Sequence, residues 1–305
     1  MQQAYRTRLE IVFASSAPKA VILRRGPKRH FHLIEWNLKD DTFRHGQWMK
    51  GIVRLCDITP SGDKLLYWAA QYHVAPGEND RRFKRAPDGD AGDVRKAYEP
   101  LVRAADVTKF LKRHPKRKLP RYMRGAADAR RAAQKRPPRQ NQGVWTAISR
   151  PPWFSALAIW PGFGHWTGGG YFRSDNEVVL FETEDGLTPV ANVRPPSTFR
   201  IAAFNRNDPG FNIDMQRRMA AYEAVRARLK SVHDAVADGG RRFVDRLEPL
   251  TGGDLVMAVD GSVYRLSDWQ SIAPDEALGR ATRIADFNGM SFEMKPAPSA
   301  AMSWR

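Results

Sequence analysis

The side chains with chemistry to offer are few, and their spacing assembles no catalytic set. His30 and His32 stand two apart, so on a strand they share a face. Two imidazoles fall short of a zinc site. His32 also shares its face with Ile34 and Trp36, the setting of a packed, hydrogen-bonded histidine. No metal and no cofactor is expected. Cys56 is the one cysteine, which excludes an intrachain disulfide and any multi-cysteine metal or iron–sulfur site. With Arg54 as its only nearby cation it reads as a buried structural thiol. Five glycines fall between Gly162 and Gly170. A Walker-type loop needs Gly-Lys-Ser/Thr and a dinucleotide turn needs G-x-G-x-x-G, and neither is present. His165 and Trp166 inside this cluster are candidates to line a ligand pocket, because glycine lets backbone approach closely. His32 and Trp36 join them as ligand-binding candidates, tryptophan being a frequent anchor. Ser149 lacks the G-x-S-x-G elbow. Carboxylates such as Asp40, Asp41, Glu182, Glu184, Asp185 and Asp286 lie at turns, where Asp serves the backbone. An enzyme would need polar residues such as His165, His32 and Asp175 to converge only in three dimensions.

Charge is the second resource, and it is concentrated. The chain of 305 residues carries a formal charge of +17. Thirteen Lys or Arg and a single acid, Asp128, fall between Lys109 and Arg139, so this stretch holds +12 and the rest only +5. Like charges repel, and the prolines at 115, 120, 137 and 138 interrupt regular structure, so the stretch reads as a solvated insertion. Its cations, among them Lys112, Arg113, Lys116, Arg117, Lys118, Arg121, Arg130 and Arg131, could engage nucleic acid or an acidic protein. Such binding would weaken steeply with salt. No helix-turn-helix, zinc-finger or RNP-like pattern accompanies the arm.

The elements that must carry these residues are mostly short strands. Lys19–Arg24 is an apolar, β-branched run closed by Gly26-Pro27. His30–Leu38 places His32, Ile34, Trp36 and Leu38 on one face, and Phe31, Leu33, Glu35 and Asn37 on the other. Apolar residues on both faces indicate a strand packed between neighbouring sheets. Further strands are expected at Thr42–Met49, Leu65–Ala69, from Val144, at Ser155–Trp160, Glu177–Glu182 and Thr198–Phe204. Leu255–Val259 and Ser262–Leu266 flank Asp260-Gly261, the preferred dipeptide of a type I′ hairpin. Ala281–Phe287, Asn288-Gly289 and Met290–Met294 repeat that logic. One long helix is expected over Asn212–Asp238, with a stripe running from Met215 through Val225, Leu229 and Val232 to Val236 and a stop at Gly239-Gly240. Its stripe should dock on its own domain. The whole is a single β-rich domain, 1–305, with insertions at 75–143 (a helix and the basic arm) and 205–248, and a frayed tail at 296–305 in which Trp304 could serve as an anchor.

Four segments pair a turn with a large apolar strand: TPSGDKLLYW at Thr59, SRPPWFSALAIW at Ser149, LTGGDLVMAV at Leu250 and FNGMSFEM at Phe287. The first resembles the signature of TolB-type β-propellers, a Ser-Pro-Asp-Gly turn followed by Leu-x-Tyr or Leu-x-Phe. Here Thr59, Pro60, Ser61 and Gly62 take the turn, and Leu65 and Tyr67 follow. Thr and Ser replace the usual Ser and Asp, the match covers about nine residues, and blade spacing is irregular. The chain is also similar to bacterial proteins with degenerate propeller blades. The resemblance implies a mainly β fold with helical insertions, an irregular propeller-like stack of short antiparallel sheets. Another β-rich α+β fold is the alternative.

No apolar run reaches the length of a membrane span, and no signal-peptide core is evident. The expectation is a cytoplasmic, non-enzymatic binding or scaffold protein for a protein or small ligand, with no membrane partner. A nucleic-acid-associated protein using residues 109–139, or an enzyme with a non-sequential site, is the alternative.

Overall fold

A computed structural model describes residues 6–26, 30–71, 143–161, 168–181, 187, 189, 195–205, 223 and 225–304. The chain divides into two compact units, Met1–Tyr72 with Gly143–Arg305, and His73–Gln142. The second unit, with the basic arm, lies outside the described residues, as do His165 and Trp166.

The first unit is mainly β. Among the described residues fifteen strands form four small sheets. Sheet 1 holds β1 (Arg8–Phe13), β2 (Lys19–Arg25), β3 (His30–Asn37) and β4 (Thr42–Lys50). Sheet 2 holds β5 (Ile52–Ile58), β6 (Leu65–Gln71), β7 (Gly143–Ser149) and β8 (Ala156–Pro161). Sheet 3 has β9 (Gly170–Ser174), β10 (Glu177–Leu180) and β11 (Arg200–Ala203). Sheet 4 has β12 (Val244–Pro249), β13 (Leu255–Val259), β14 (Ser262–Leu266) and β15 (Thr282–Asp286). Among the described residues every pairing is antiparallel except β10 with β11.

Side-chain alternation explains how the sheets stack. In β2, Val21 and Leu23 face sheet 2, whereas Ala20 and Ile22 face sheet 4. In β3, Phe31 and Leu33 point to sheet 2, and Ile34 and Trp36 to sheet 4. This is the two-faced strand expected from the sequence. In β6, Leu65 and Tyr67 meet sheet 1 while Leu66 meets sheet 3 through Phe172, Val178 and Leu180. The packing order is therefore 4–1–2–3. The first strands follow it, with β12 against β1, β1 against β5 and β5 against β9. Closure of this series into a ring is not seen among the described residues.

A helix caps the far face of sheet 4. α1 runs over 225–237 and packs Val225, Leu229, Val232 and Val236 on Leu255, Met257 and Val259. It ends where Gly239 (φ +61°) and Gly240 (φ +88°) take the left-handed region that glycine enters freely. The earlier part of the stripe, from 212 to 222, lies outside the described residues. Residues 244–248, expected inside an insertion, are strand β12 of sheet 4.

The turns carry the sequence signal faithfully. Asp260 (φ +47°) and Gly261 (φ +78°) both have positive φ, as a type I′ turn requires. In the β5–β6 turn Thr59 N–H donates to Lys64 O at 2.9 Å and Gly62 N–H to Thr59 O at 2.8 Å. The β12–β13 turn is similar but one residue tighter, with Leu250 N–H to Asp254 O at 2.8 Å and Gly253 N–H to Leu250 O at 3.0 Å. So two of the four sequence echoes occupy the same place in their sheets. The other two do not, since Ser149 opens the β7–β8 connection and Phe287 follows β15.

Two expectations need correction. Met290–Met294 forms no strand. The buried Arg24 guanidinium takes the carbonyls of Phe287, Asn288 and Met290 instead, which draws this segment over sheet 1. The tail is also more ordered than expected. Ser299–Met302 is a 3-10 turn with Ala301 buried, and Trp304 packs on Phe199 with ring centroids 4.8 Å apart.

Candidate functional site

The first strands of the sheets look unlike the others. Charged residues interrupt their apolar pattern. β1 begins Arg8-Leu9-Glu10, β5 contains Arg54-Leu55-Cys56-Asp57, and β12 contains Arg246-Leu247-Glu248 preceded by Asp245. The Arg-Leu pair thus recurs in the first strand of three sheets. It is an internal repeat visible in the sequence, but the β-branched runs and turns that mark the other strands do not reveal it.

The acids of these strands tie neighbouring sheets together. Asp245 Oδ2 accepts Leu9 N–H at 2.8 Å. Glu10 Oε1 accepts Leu55 N–H at 3.1 Å. Asp57 Oδ2 accepts Phe172 N–H at 2.7 Å. Each carboxylate satisfies a backbone donor that no ladder serves, and a charged acceptor makes the bond stronger than a neutral one. The step from one residue after Leu9 to two after Leu55 reflects a bulge between Leu55 and Asp57.

Where β12, β1 and β5 meet lies a cleft of about 620 Å³. Arg8, Arg25, Arg54 and Arg246 line it, along with Glu10 and Asp245. Its floor is apolar, with Leu23, Phe31 and Val53 each under 5% exposed. Burial pushes both carboxyls above their ordinary range. Arg54, Leu55 N–H and Arg246 oppose this at Glu10, and Leu9 N–H and Arg8 oppose it at Asp245. Arg8 also donates to Asp245, and Arg246 pairs with Glu248. Arg25 lies over the Phe31 ring, 6.0 Å from its centroid. The arrangement can hold an anion on guanidinium forks. Among the described residues no Ser, Thr, Cys, His or Lys lines the cleft, and these residues offer it no nucleophile beyond two carboxylates.

The residues singled out from the sequence sit elsewhere. Trp36 is fully buried between sheets 1 and 4, its Nε1 donating to Asp41 at 3.0 Å. It is a core residue rather than a ligand contact. His32 is 2% exposed and stacks on Trp48 at 4.3 Å and on His45 at 5.4 Å. The ring is packed as expected and has a backbone hydrogen bond at Gly46, while its Nδ1 meets no partner at hydrogen-bond distance. Burial, then His45 and Arg24, push its pKa down to about 3. Asp175 accepts Ser61 N–H at 2.9 Å and so secures the β5–β6 turn. Cys56 is half-buried and its thiol is pushed up to about 12 by burial and by Glu10. Asp40 and Asp286 accept backbone N–H groups of Thr42 and Asn288, the turn role anticipated for them. No group of three or more His, Cys, Asp or Glu side chains able to hold a metal ion occurs among the described residues. No helix among them is long and apolar enough to cross a membrane.

No protein-family model, curated protein or solved structure matches the chain.

Proposed function

We propose that the chain is a non-enzymatic binding protein on an irregular, propeller-like array, and that its ligand enters the cleft at β12, β1 and β5. The propeller-like part is supported by four small sheets stacked in series with their first strands adjacent. The observation that carries the binding reading is the cleft itself. Its size lies in the range of small-molecule sites, roughly 300–1,000 Å³. Among the described residues it combines an apolar floor with a few charged groups and no nucleophile beyond its carboxylates.

Two measurements test this. Ile52 borders the cleft, so Ile52→Trp should obstruct it and abolish calorimetric binding of an apolar probe such as N-phenyl-1-naphthylamine. Unchanged binding in that variant overturns the placement. Nitrophenyl esters, phosphates and glycosides should be left intact by the protein. Turnover that disappears in Glu10→Gln overturns the non-enzymatic reading.

A second reading is favoured by one sequence feature, the +12 carried by residues 109–139. It makes this stretch a contact for nucleic-acid phosphates. Deleting 109–139 should abolish binding of a fluorescent oligonucleotide in a salt titration, and binding that survives deletion excludes the arm.

A further inference from the structure

We infer that the cleft selects an organic anion, a carboxylate, phosphate or sulfonate joined to an apolar body. This rests on the reading that the cleft is the ligand site.

Three arguments converge on that chemistry. The cations are all arginines and come from separate sheets: Arg8 and Arg25 from sheet 1, Arg54 from sheet 2 and Arg246 from sheet 4. A guanidinium presents a planar fork that matches carboxylate and phosphate oxygens, which lysine does not. Three of the four occupy the same place in the repeated Arg-Leu pair, so the fold delivers equivalent guanidinium groups to one point.

The acids cancel this charge only in part: Arg8 pairs with Asp245 and Arg246 with Glu248. Among the described residues the lining carries four arginines against two carboxylates. Both carboxylates accept backbone N–H groups of the next sheet. They are spent on holding the sheets in register, and that bonding also fixes the strands that bear the arginines. Arg25 has no carboxylate partner among the described residues and is exposed at the rim.

The floor argues against a bare inorganic ion. Phe31 lies beneath Arg25, and Leu23 and Val53 add apolar surface to the same cleft. Filling about 620 Å³ takes a ligand far larger than phosphate, and burying its apolar part adds roughly 25 cal/mol per Å². Charge then sets orientation and apolar contact supplies affinity.

The test uses the full chain and three probes: 8-anilinonaphthalene-1-sulfonate, the neutral N-phenyl-1-naphthylamine, and inorganic phosphate. Calorimetry should show the sulfonate bound at least about tenfold more tightly than the neutral probe, the worth of one charge-assisted hydrogen bond. Arg25→Gln and Arg54→Gln should each weaken the sulfonate by about that factor and leave the neutral probe unchanged. Naphthyl phosphate and naphthoate should compete with the sulfonate, and their relative strength identifies the preferred anionic group. Phosphate alone should compete only at far higher concentration. Equal affinity for the charged and neutral probes overturns the inference and leaves the cleft reading intact. So does sulfonate binding that is indifferent to the Arg25→Gln, Arg54→Gln double variant. If neither aromatic probe binds, or Ile52→Trp leaves both unaffected, the cleft reading itself falls.

Discussion

The carboxylate of Asp245 in β12 accepts the backbone N–H of Leu9 in β1 at 2.8 Å. This bond joins two sheets that share no ladder. Glu10 repeats it toward Leu55, and Asp57 toward Phe172. The stacked series 4–1–2–3 is thus stitched along its first strands by one acid per joint, while apolar side chains fill the space between sheets. A buried N–H without an acceptor is costly, so each acid decides whether its joint can close.

Asp245→Ala should therefore destabilise the protein by about 2–3 kcal/mol, because Leu9 N–H and Arg8 lose their acceptor at a side chain that is only 4% exposed. Asp245→Asn keeps an amide oxygen for Leu9 and should cost less. Urea unfolding of both variants checks the order. Equal loss in the two would mean that charge, rather than the acceptor, holds the joint.

Glu10 gives the same joint a pH signature. Burial raises its pKa in the folded state. Between the ordinary carboxylate range and that raised value the folded chain keeps a proton that the unfolded chain has lost. Its contribution to stability is therefore present at low pH and lost as pH rises through this window. Gln at position 10 still offers an acceptor to Leu55 but does not titrate. Glu10→Gln should gain stability relative to wild type as pH rises from 4 to 7 in chemical unfolding. A constant difference would show that Glu10 titrates alike in both states.

His32 acts in the opposite direction. Its pKa is pushed down to about 3 in the folded protein, against about 6.5 unfolded. The unfolded chain binds the extra proton between these values, so stability is full above about pH 6.5 and falls as pH drops toward 3. Full realisation of that gap is worth on the order of 5 kcal/mol. The groups facing it are His45 and Arg24 within the sheet and Lys295 from the overlying segment, all cationic or able to become so. His32→Phe should preserve stacking on Trp48, remove the unpartnered Nδ1, and flatten the acid limb of a stability–pH curve. An acid limb as steep as that of wild type would place the sensitivity elsewhere.

Cys56 should resist thiol reagents in the native state. With its thiol pushed up to about 12 by burial and by Glu10, the reactive thiolate is scarce at pH 8. A disulfide-exchange dye should react slowly until urea is added, and then at the rate of a free thiol. Fast native reaction would mean that β5 opens locally.

Much of this fold is legible in the sequence, and the part that is not has a physical reason. β2 and β3 are buried on both faces, so Val21, Ile22, Leu33 and Ile34 give an uninterrupted apolar signal. Asp260-Gly261 and Gly239-Gly240 mark their turn and helix stop because only positive φ satisfies them. β1, β5 and β12 are obscure because Arg8, Glu10, Arg54, Asp57, Asp245 and Arg246 break the alternation. Those charges bind the next sheet and line the cleft. The residues that build the candidate site are the ones that hide its strands. The search for chemistry turned instead to histidine and tryptophan, and Trp36 belongs to the core. Asn288-Gly289 misled because the partner of the following segment is a side chain rather than a strand.

That partner, Arg24, carries the last prediction. Its guanidinium is fully buried, donates to the carbonyls of Gly26, Phe287, Asn288 and Met290, and lies over the Trp48 ring. Three of those acceptors belong to the segment after β15, which makes no ladder of its own. A second, outer tie is Lys295 Nζ to His45 O at 2.8 Å. Arg24→Met keeps the apolar stem but leaves those carbonyls without donors, so the segment should detach while the sheets stay packed. Cleavage after Glu293 by a glutamyl endopeptidase should then accelerate at least about tenfold, as local opening becomes easier by the cost of one or two such bonds. Cleavage within sheet 1 should stay slow. A variant that unfolds as a whole would be cut throughout the chain at equal rates. Unchanged cleavage at Glu293 in a folded Arg24→Met protein would show that Phe287 and Phe292, packed on the sheet 1 aromatics, hold the segment without the arginine.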